Sequence, residues 1–237
     1  PEQVVIMGYI SEGFLTALSL LFSAHEETYS AIFTTLRVSS LSMAITLLVG
    51  IPLGFFLGSS SFRGKQAVRA VVDTLLALPT VVVGLLVYAF ISRRGPLGEL
   101  GILFTLKGIA LGQFVLGLPI VVALTATAVE ALDEQVKITL MTLGANRKQV
   151  LLGTLYEARF AVLVAALTAY GRIISEVGVS MMLGGNIKWH TRTITTTIAL
   201  ETGKGQFAMG LALGMVLLGL AFGVNLLLSG FKRKATR

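Results

Sequence analysis

The sequence contains no cysteine and few charged residues for its length. The absence of cysteine from 237 residues excludes disulfide bonds and thiolate metal sites. Charged residues make up 13% of the chain, whereas soluble proteins carry about 25%. Hydrophobic residues make up 54%, and the mean hydropathy is +0.85. A soluble core of this size does not require so little polar surface, so the composition predicts a membrane protein that crosses the bilayer several times.

Two groups of catalytic motifs are also missing. The pattern GxxxxGK[ST], whose backbone cradles nucleotide phosphates, does not occur. The only histidines, His25 and His190, lie outside the predicted spans, so no intramembrane base is available to a serine hydrolase and no histidine metal site is predicted. We therefore expect no catalytic residue and no bound metal, and any ATP-driven work must come from another polypeptide.

Five apolar segments have roughly the 20 residues that a membrane-spanning helix needs, which predicts an all-α integral membrane fold. Residues 1–27 also have apolar positions at helical spacing, but Glu12 interrupts them. We predict an N-terminal interfacial amphipathic helix there, with a sixth span as the alternative. Residues 28–230 form the predicted membrane domain, and residues 231–237 form a basic tail. The predicted spans are residues 29–57, 67–91, 108–129, 160–183 and 207–229.

Prolines and glycines recur inside these spans. A proline kink is tolerated there when neighbouring helices satisfy the freed carbonyl groups. Small residues four positions apart allow close helix contact, although this spacing is common by chance in a chain with 26 glycines. The prolines are Pro52, Pro79 and Pro119, and the glycine series are Gly50/Gly54/Gly58, Gly210/Gly214 and Gly219/Gly223.

The positive charges indicate an orientation. The chain has a net charge of +7 and a pI near 9.9, but its basic residues fall between apolar runs, which membrane topology explains better than nucleic-acid binding. Most of them lie after the first span, in the central loop and in the tail. The positive-inside bias therefore places the central loop and the C-terminus in the cytoplasm and the N-terminus outside.

The central loop, residues 130–159, is the most informative segment. It reads EALDEQVKITLMTLGANRKQVLLGTLYEAR, and its charges do not suit hydrocarbon. Its apolar residues are nevertheless spaced for helices on both sides of Gly144. The pattern predicts two short amphipathic helices joined at this glycine and suited to docking a partner. An ordinary solvated loop is the alternative.

This loop resembles the conserved cytoplasmic loop of ABC-importer permeases, whose pattern is Glu-Ala-Ala, three residues, Gly, nine residues, Ile-x-Leu-Pro. Gly144 and Ala145 take the glycine position, while Ile138-Thr139-Leu140 replaces Glu-Ala-Ala and Tyr156-Glu157 replaces Leu-Pro. The resemblance marks a loop that transmits force from a cytoplasmic ATPase. It implies the following coupling residues: Leu143, Gly144, Ala145, Asn146 and Val150.

A second segment sharpens the resemblance. Residues 171–205, GRIISEVGVSMMLGGNIKWHTRTITTTIALETGKG, are similar to the tungstate-type branch of the molybdate/sulfate permeases. The similarity extends over roughly residues 8–230. It implies the MetI-like fold of type I ABC-importer permeases and an oxyanion cargo, with tungstate favoured, then molybdate and sulfate.

The resemblance also implies partners and a location. A homodimer in the prokaryotic inner membrane, surrounded by lipid, works with a cytoplasmic ABC ATPase dimer and an extracytoplasmic anion-binding protein. ATP and Mg bind to the ATPase, so this chain is a permease subunit without a cofactor and not an enzyme, and no nucleic acid is involved. The alternative function is an ATP-independent secondary anion transporter or channel, followed by a membrane enzyme.

Ionisable residues inside spans are functional candidates because each needs a partner or water. Arg172 and Glu176 are four residues apart on one predicted helix and therefore share a face. Arg37 lies roughly 12 Å from the outer edge of the first span, at a depth similar to that of Glu176, whereas Asp73 lies near the opposite edge. We predict an Arg37–Glu176–Arg172 cluster that acts either as a polar clasp between helices or as part of a gate or anion path.

Residues 186–202, NIKWHTRTITTTIALET, are the other candidate for the anion path. Their threonines and Arg192 offer the hydroxyl donors and positive charge that a tetrahedral oxyanion needs for weak binding. The equal alternative is an external loop that docks a binding protein through Trp189 and His190. The candidates for the translocation path or gate are Arg37, Arg172, Ser175, Glu176, Arg192 and Thr193.

Overall fold

The computed structural model describes residues 26–132 and 134–235, together with residues 11, 14–16, 18 and 19. The regular structure in this part of the chain is helical, which confirms the all-α prediction. The predicted interfacial helix of residues 1–27 lies mostly outside the described residues. The helices are α1 (Glu26–Ser59), α2 (Lys65–Leu76), α3 (Thr80–Ile91), α4 (Leu106–Glu130), α5 (Glu134–Thr142), α6 (Arg147–Glu157), α7 (Arg159–Ile174), α8 (Gly178–Gly184), α9 (Ile194–Gly203) and α10 (Phe207–Ala235), with a 3₁₀ turn at Gly98–Leu100.

Helices α1 and α4 coincide with the predicted spans of residues 29–57 and 108–129, and both are long and apolar enough to cross a membrane. The pairs α2–α3 and α6–α7 pass the same test only when each bent pair is taken together. The described residues therefore contain two spans by length and composition, or up to four if each bent pair is one span. In α10, the segment Phe207–Gly223 is a shorter apolar helix, and α10 itself continues to Ala235, into the predicted basic tail.

The predicted span of residues 67–91 is not a single kinked helix. Helix α2 ends at Leu76 and α3 begins at Thr80. Pro79 lies in extended conformation just before α3. Because proline lacks an N–H group and disfavours helical conformation in the residue before it, the helix stops here. Pro52 and Pro119, in contrast, remain inside α1 and α4.

The chain divides into two compact units, which we describe separately. The first unit contains residues up to 42 together with residues 79–113 and 173–237, and the second contains residues 43–78 and 114–172. One apolar cluster of the first unit joins α1, α9 and α10 through Ala31, Ile194 and Leu213, all almost fully buried. A cluster of the second unit joins α1 to α4 through Leu57, Val122 and Ala126.

In the second unit, the glycine series of α1 lies directly against α4. An added Cβ would lie 2.8 Å from Val121 Cγ1 at Gly50, 2.7 Å from Val122 O at Gly54 and 2.7 Å from Ala126 O at Gly58. Real Cβ atoms do not approach other atoms this closely, and at Gly54 and Gly58 the atom approached is backbone oxygen, so this close contact depends on glycine. Gly214, Gly219 and Gly223 of α10 have open space instead. Of the predicted small-residue series, Gly50/Gly54/Gly58 therefore forms a tight seam, that is, a close contact between α1 and α4.

Candidate functional site

The central loop of the second unit forms a helix–turn–helix, and its turn is specified locally. Gly144 has φ +79°, a left-handed conformation that glycine adopts without strain. The N–H of Gly144 donates to Met141 O and the N–H of Ala145 donates to Leu140 O, both at 3.0 Å. These two bonds form a Schellman motif, which ends α5. The prediction of two helices joined at Gly144 is confirmed.

The second helix of the loop begins with a capping box. Asn146 Oδ1 accepts a bond of 2.9 Å from the N–H of Gln149, and Gln149 Oε1 accepts one of 2.8 Å from the N–H of Asn146. These reciprocal bonds satisfy two of the donors that a helix start leaves free. Two consecutive caps therefore fix the direction in which α6 leaves α5, independently of distant parts of the chain.

Apolar side chains of this helix–turn–helix remain uncovered. Leu143 at the turn is 79% exposed. In contrast, Leu140 packs against α6, because an added Cβ at Gly153 would lie 2.7 Å from Leu140 Cδ1. Ala145 and Val150 are half-buried, and Asn146 is exposed. Large exposed apolar surface is typical of sites that contact another protein or a membrane. The remaining exposed apolar side chains of the loop are Ile138, Met141, Leu151, Leu152 and Tyr156.

An ion-pair cluster connects the start of this loop to α2. Glu130, the last residue of α4, pairs with Lys65 at 3.0 Å and with Arg69 at 2.6 Å. Arg69 also donates to Thr127 Oγ1 at 2.6 Å. The distribution of positive charges predicts that the loop after the first span and the central loop lie on the same side of the membrane, but it does not predict these ion pairs.

In the first unit, Glu176 caps a helix. It lies in the interruption between α7 and α8, where the predicted span of residues 160–183 is broken, and it is 3% exposed. Its carboxylate accepts a bond of 3.2 Å from the N–H of Val179, in the first turn of α8. Its carbonyl accepts a bond of 3.0 Å from Thr195 Oγ1. A carboxylate at a helix start accepts hydrogen bonds from N–H groups that have no partner within the helix, and it interacts favourably with the helix dipole. This contact explains how a second helix can start here.

The other members of the predicted cluster are more exposed. Arg37 is exposed on α1, and among the described residues no ion pair joins it to Glu176. Arg172 lies in the last turn of α7, and Ser175 follows that helix; both are exposed. Glu176 is thus the buried member of the predicted Arg37–Glu176–Arg172 cluster.

The threonines of residues 193–197 form a closed hydrogen-bond network. Thr193 and Thr196 make a capping box at the start of α9, and Thr197 Oγ1 donates to Thr193 O at 2.7 Å. From α1, Thr35 Oγ1 accepts a bond of 2.9 Å from the N–H of Ile194. These bonds join residues that are all buried: Thr35, Thr193, Ile194, Thr196 and Thr197. These hydroxyl groups are satisfied within the first unit and serve as structural ties in this conformation.

Arg192 is held by an acidic partner. Its Nη1 pairs with Glu27 Oε1 at 2.5 Å, and Lys188 Nζ pairs with the other oxygen of Glu27 at 2.7 Å. The pairs connect the first turn of α1 to the loop before α9. Trp189 in this loop is 51% exposed and has φ +69°. The described residues contain no group of three or more histidine or acidic side chains that could hold a metal ion.

Two solved structures share this architecture. A chain of a methionine ABC transporter in an inward-facing conformation matches with a TM-score of 0.75 and 17% identity, covering 91% of this chain and 99% of the other. A chain of a bacterial alginate ABC transporter in complex with an alginate-bound periplasmic protein matches with a TM-score of 0.76 and 20% identity, covering 95% and 88%. This chain therefore shares the fold of these ABC-transporter chains.

The family follows from the sequence. This chain belongs to the binding-protein-dependent transport system inner membrane components, whose pattern matches residues 50–237. It is 49% identical over 229 residues to the tungstate uptake system permease protein of Campylobacter jejuni, covering 97% of this chain and 96% of the relative. It is 41% identical to the corresponding protein of Peptoclostridium acidaminophilum, covering 92% and 96%. The molybdenum transport system permease protein of Azotobacter vinelandii is 33% identical, covering 81% and 89%.

Proposed function

We propose that this chain is the membrane-spanning permease subunit of an ATP-driven importer for tungstate, with molybdate and then sulfate as less favoured cargoes. The 49% identity to a tungstate permease over nearly the full length of both chains supports the cargo. The exposed apolar surface of the α5–α6 helix–turn–helix is the structural observation that carries the ATP-driven mechanism.

The proposed assembly has three kinds of partner. Two copies of this chain form a homodimer in a prokaryotic inner membrane, with the N-terminus outside and the α5–α6 loop and C-terminus in the cytoplasm. Each loop docks on one subunit of an ATPase dimer, which binds ATP and Mg, and an extracytoplasmic binding protein delivers the anion. The match to an alginate transporter in complex with a periplasmic protein supports the last partner by analogy of fold.

In the proposed mechanism the loop works as a lever. ATP binding closes the ATPase dimer and pulls on the docked helices, and rigid-body motion of the spans then opens the path to the outside; hydrolysis resets it. The two caps around Gly144 suit this role, because a locally specified helix–turn–helix transmits force without depending on the packing of the spans. The Glu130 ion pairs connect the base of the lever to α2.

The test compares two substitutions of exposed leucines in the complex reconstituted with its ATPase and binding protein. Leu143→Asp removes an apolar contact at the turn, and Leu97→Asp, in the loop after α3, is the matched control; the two leucines are 79% and 43% exposed, so neither change disturbs a packed core. We expect Leu143→Asp to weaken ATPase binding roughly thirty-fold, as for a loss of about 2 kcal/mol at a docking hot spot. Leu97→Asp should bind the ATPase normally.

The same assay identifies the cargo. The binding protein is loaded with tungstate, molybdate or sulfate, and the anion that gives the greatest stimulation of ATP hydrolysis is the cargo. Equal ATPase binding by both leucine variants would contradict docking through the turn. Uptake of tungstate into vesicles that contain the permease but no ATPase would instead indicate a gradient-driven carrier.

A further inference from the structure

The loop that follows α3 presents two adjacent arginines at the end of an apolar helix. Helix α3 reads TVVVGLLVYAFI, and Ser92, Arg93 and Arg94 come directly after it. A change from a largely apolar helix to two arginines is typical of the boundary between hydrocarbon and headgroups. Both arginines are exposed. We therefore expect the guanidinium groups to lie near the depth of lipid phosphate groups.

This loop is tightly wound and holds its arginines in place. The N–H of Gly95 donates to Ser92 O at 2.7 Å, and the N–H of Leu97 donates back to Phe90 O at 2.9 Å. An added Cβ at Gly95 would lie 2.1 Å from Ala89 O, so only glycine allows the chain to return this closely to the helix end. A loop held by its own backbone bonds loses little freedom when a ligand binds.

The two arginines border a cavity of about 620 Å³. At about 30 Å³ of liquid volume per water, this space corresponds to about twenty waters, enough for a phosphorylated headgroup. Phe104, which also lines the cavity, is held by a bond of 2.8 Å from its N–H to Leu183 O. Besides the two arginines, the lining includes apolar and aromatic side chains, those of Tyr88, Ile91, Leu103 and Phe104.

Neither arginine is neutralised by a described residue. No ion pair among the described residues includes Arg93 or Arg94, whereas Glu27 and Glu130, for example, pair with other cations. Glu99 lies on the same loop but does not line the cavity. Two adjacent guanidinium groups, each able to donate two parallel bonds to one oxyanion, form a typical site for phosphate-type groups.

We propose that this cavity binds a tetrahedral oxyanion group through Arg93 and Arg94. The two sources of that chemistry at a membrane surface are the phosphodiester of an anionic phospholipid and a free oxyanion. The apolar and aromatic walls fit the glycerol and upper acyl region of a lipid, and the arginines fit its phosphate. The site is separate from the α5–α6 loop, so its test does not depend on the proposed transport function.

The test uses the full chain, purified and delipidated in detergent. Binding of dihexanoyl phosphatidylglycerol, dihexanoyl phosphatidylcholine and inorganic phosphate is measured by native mass spectrometry and by the shift in melting temperature. The variants are Arg93→Gln with Arg94→Gln, the charge-retaining Arg94→Lys, and Lys107→Gln as the control. Lys107 is an exposed cation in the first turn of α4 that does not line the cavity.

We expect phosphatidylglycerol to bind the wild type and to bind the double glutamine variant at least about ten-fold more weakly, as for the loss of charge-assisted hydrogen bonds. Arg94→Lys should be intermediate, and Lys107→Gln should match the wild type. Binding of inorganic phosphate, and its competition with phosphatidylglycerol, would identify a free oxyanion as the source of the group. If inorganic phosphate neither binds nor competes, the source is the lipid. Equal affinity of the wild type and the double variant, or an equal loss in Lys107→Gln, overturns the proposal. Unchanged melting temperatures without ligand verify that the variants are folded.

Discussion

The helix–turn–helix of residues 134–157 and the segment of residues 176–197 both interrupt apolar sequence with polar residues, but they satisfy those residues differently. In the first, the caps at Gly144 and Asn146 are local, and apolar side chains are left exposed. In the second, Glu176, Thr195 and Ile194 bond to residues distant in sequence, and the polar groups are buried. The first interruption leaves apolar surface uncovered, whereas the second connects helices through buried hydrogen bonds.

The largest stability effect is expected where a long-range bond of the buried segment is removed. Thr35 Oγ1 donates to Ala31 O and also accepts from the N–H of Ile194. Thr35→Val keeps the shape but leaves that buried N–H without a partner, which costs about 1–3 kcal/mol. Thr168→Val is the matched control, because exposed Thr168 makes only the equivalent bond within its helix, to Val164 O. We expect the first variant to melt several degrees lower in detergent, and equal melting of both would contradict a bracing role.

An intermediate effect is expected at the turn of the exposed loop. Gly144→Ala places a side chain at φ +79°, which costs roughly 1–2 kcal/mol. Since the turn makes few contacts outside the loop, this strain should loosen α5 and α6 without lowering the global melting temperature. Hydrogen exchange of residues 134–157 in nanodiscs should accelerate. Gly203→Ala, at a helical glycine with open space around it, is the control and should leave the exchange of this region unchanged.

The smallest effect is expected at the cap of α6. Asn146→Ala removes the acceptor for the Gln149 N–H and costs about 1 kcal/mol of local helix stability. Exchange should accelerate in the first turn of α6 and stay unchanged in α5, which keeps its own Schellman cap. Asn146→Asp retains a side-chain acceptor and should exchange like the wild type. Acceleration throughout α5 and α6 would show that the two caps are not independent.

Much of the loop could be predicted from sequence. The helical spacing of apolar residues around Gly144 depends on neighbours a few positions away, and so do a glycine C-cap and an Asn-x-x-Gln capping box. The positions of α5 and α6 within residues 130–159 follow from these signals. The exact cluster of Lys65, Arg69 and Glu130 could not be predicted, because it depends on how the end of α4 approaches α2.

The inner segments were harder to predict. Pro52, Pro79 and Pro119 look alike in sequence, yet Pro79 lies between two helices while the other two lie inside one. The threonines of residues 193–197 were interpreted as donors for an anion or as part of a docking loop, and the structure places their hydroxyl groups in buried bonds. A proline or a hydroxyl has several acceptable environments, and its neighbours in space decide among them.

The sequence by itself determined the membrane class, the all-α fold and the helix–turn–helix at Gly144, because composition, helical period and caps are properties of the chain and its near neighbours. Only the tertiary structure decided that Gly50, Gly54 and Gly58 form a tight seam while Gly214, Gly219 and Gly223 do not. It also decided that Glu176 caps α8 and that Arg93 and Arg94 border a cavity. These features depend on contacts between residues far apart in sequence, and a short sequence pattern does not contain that information.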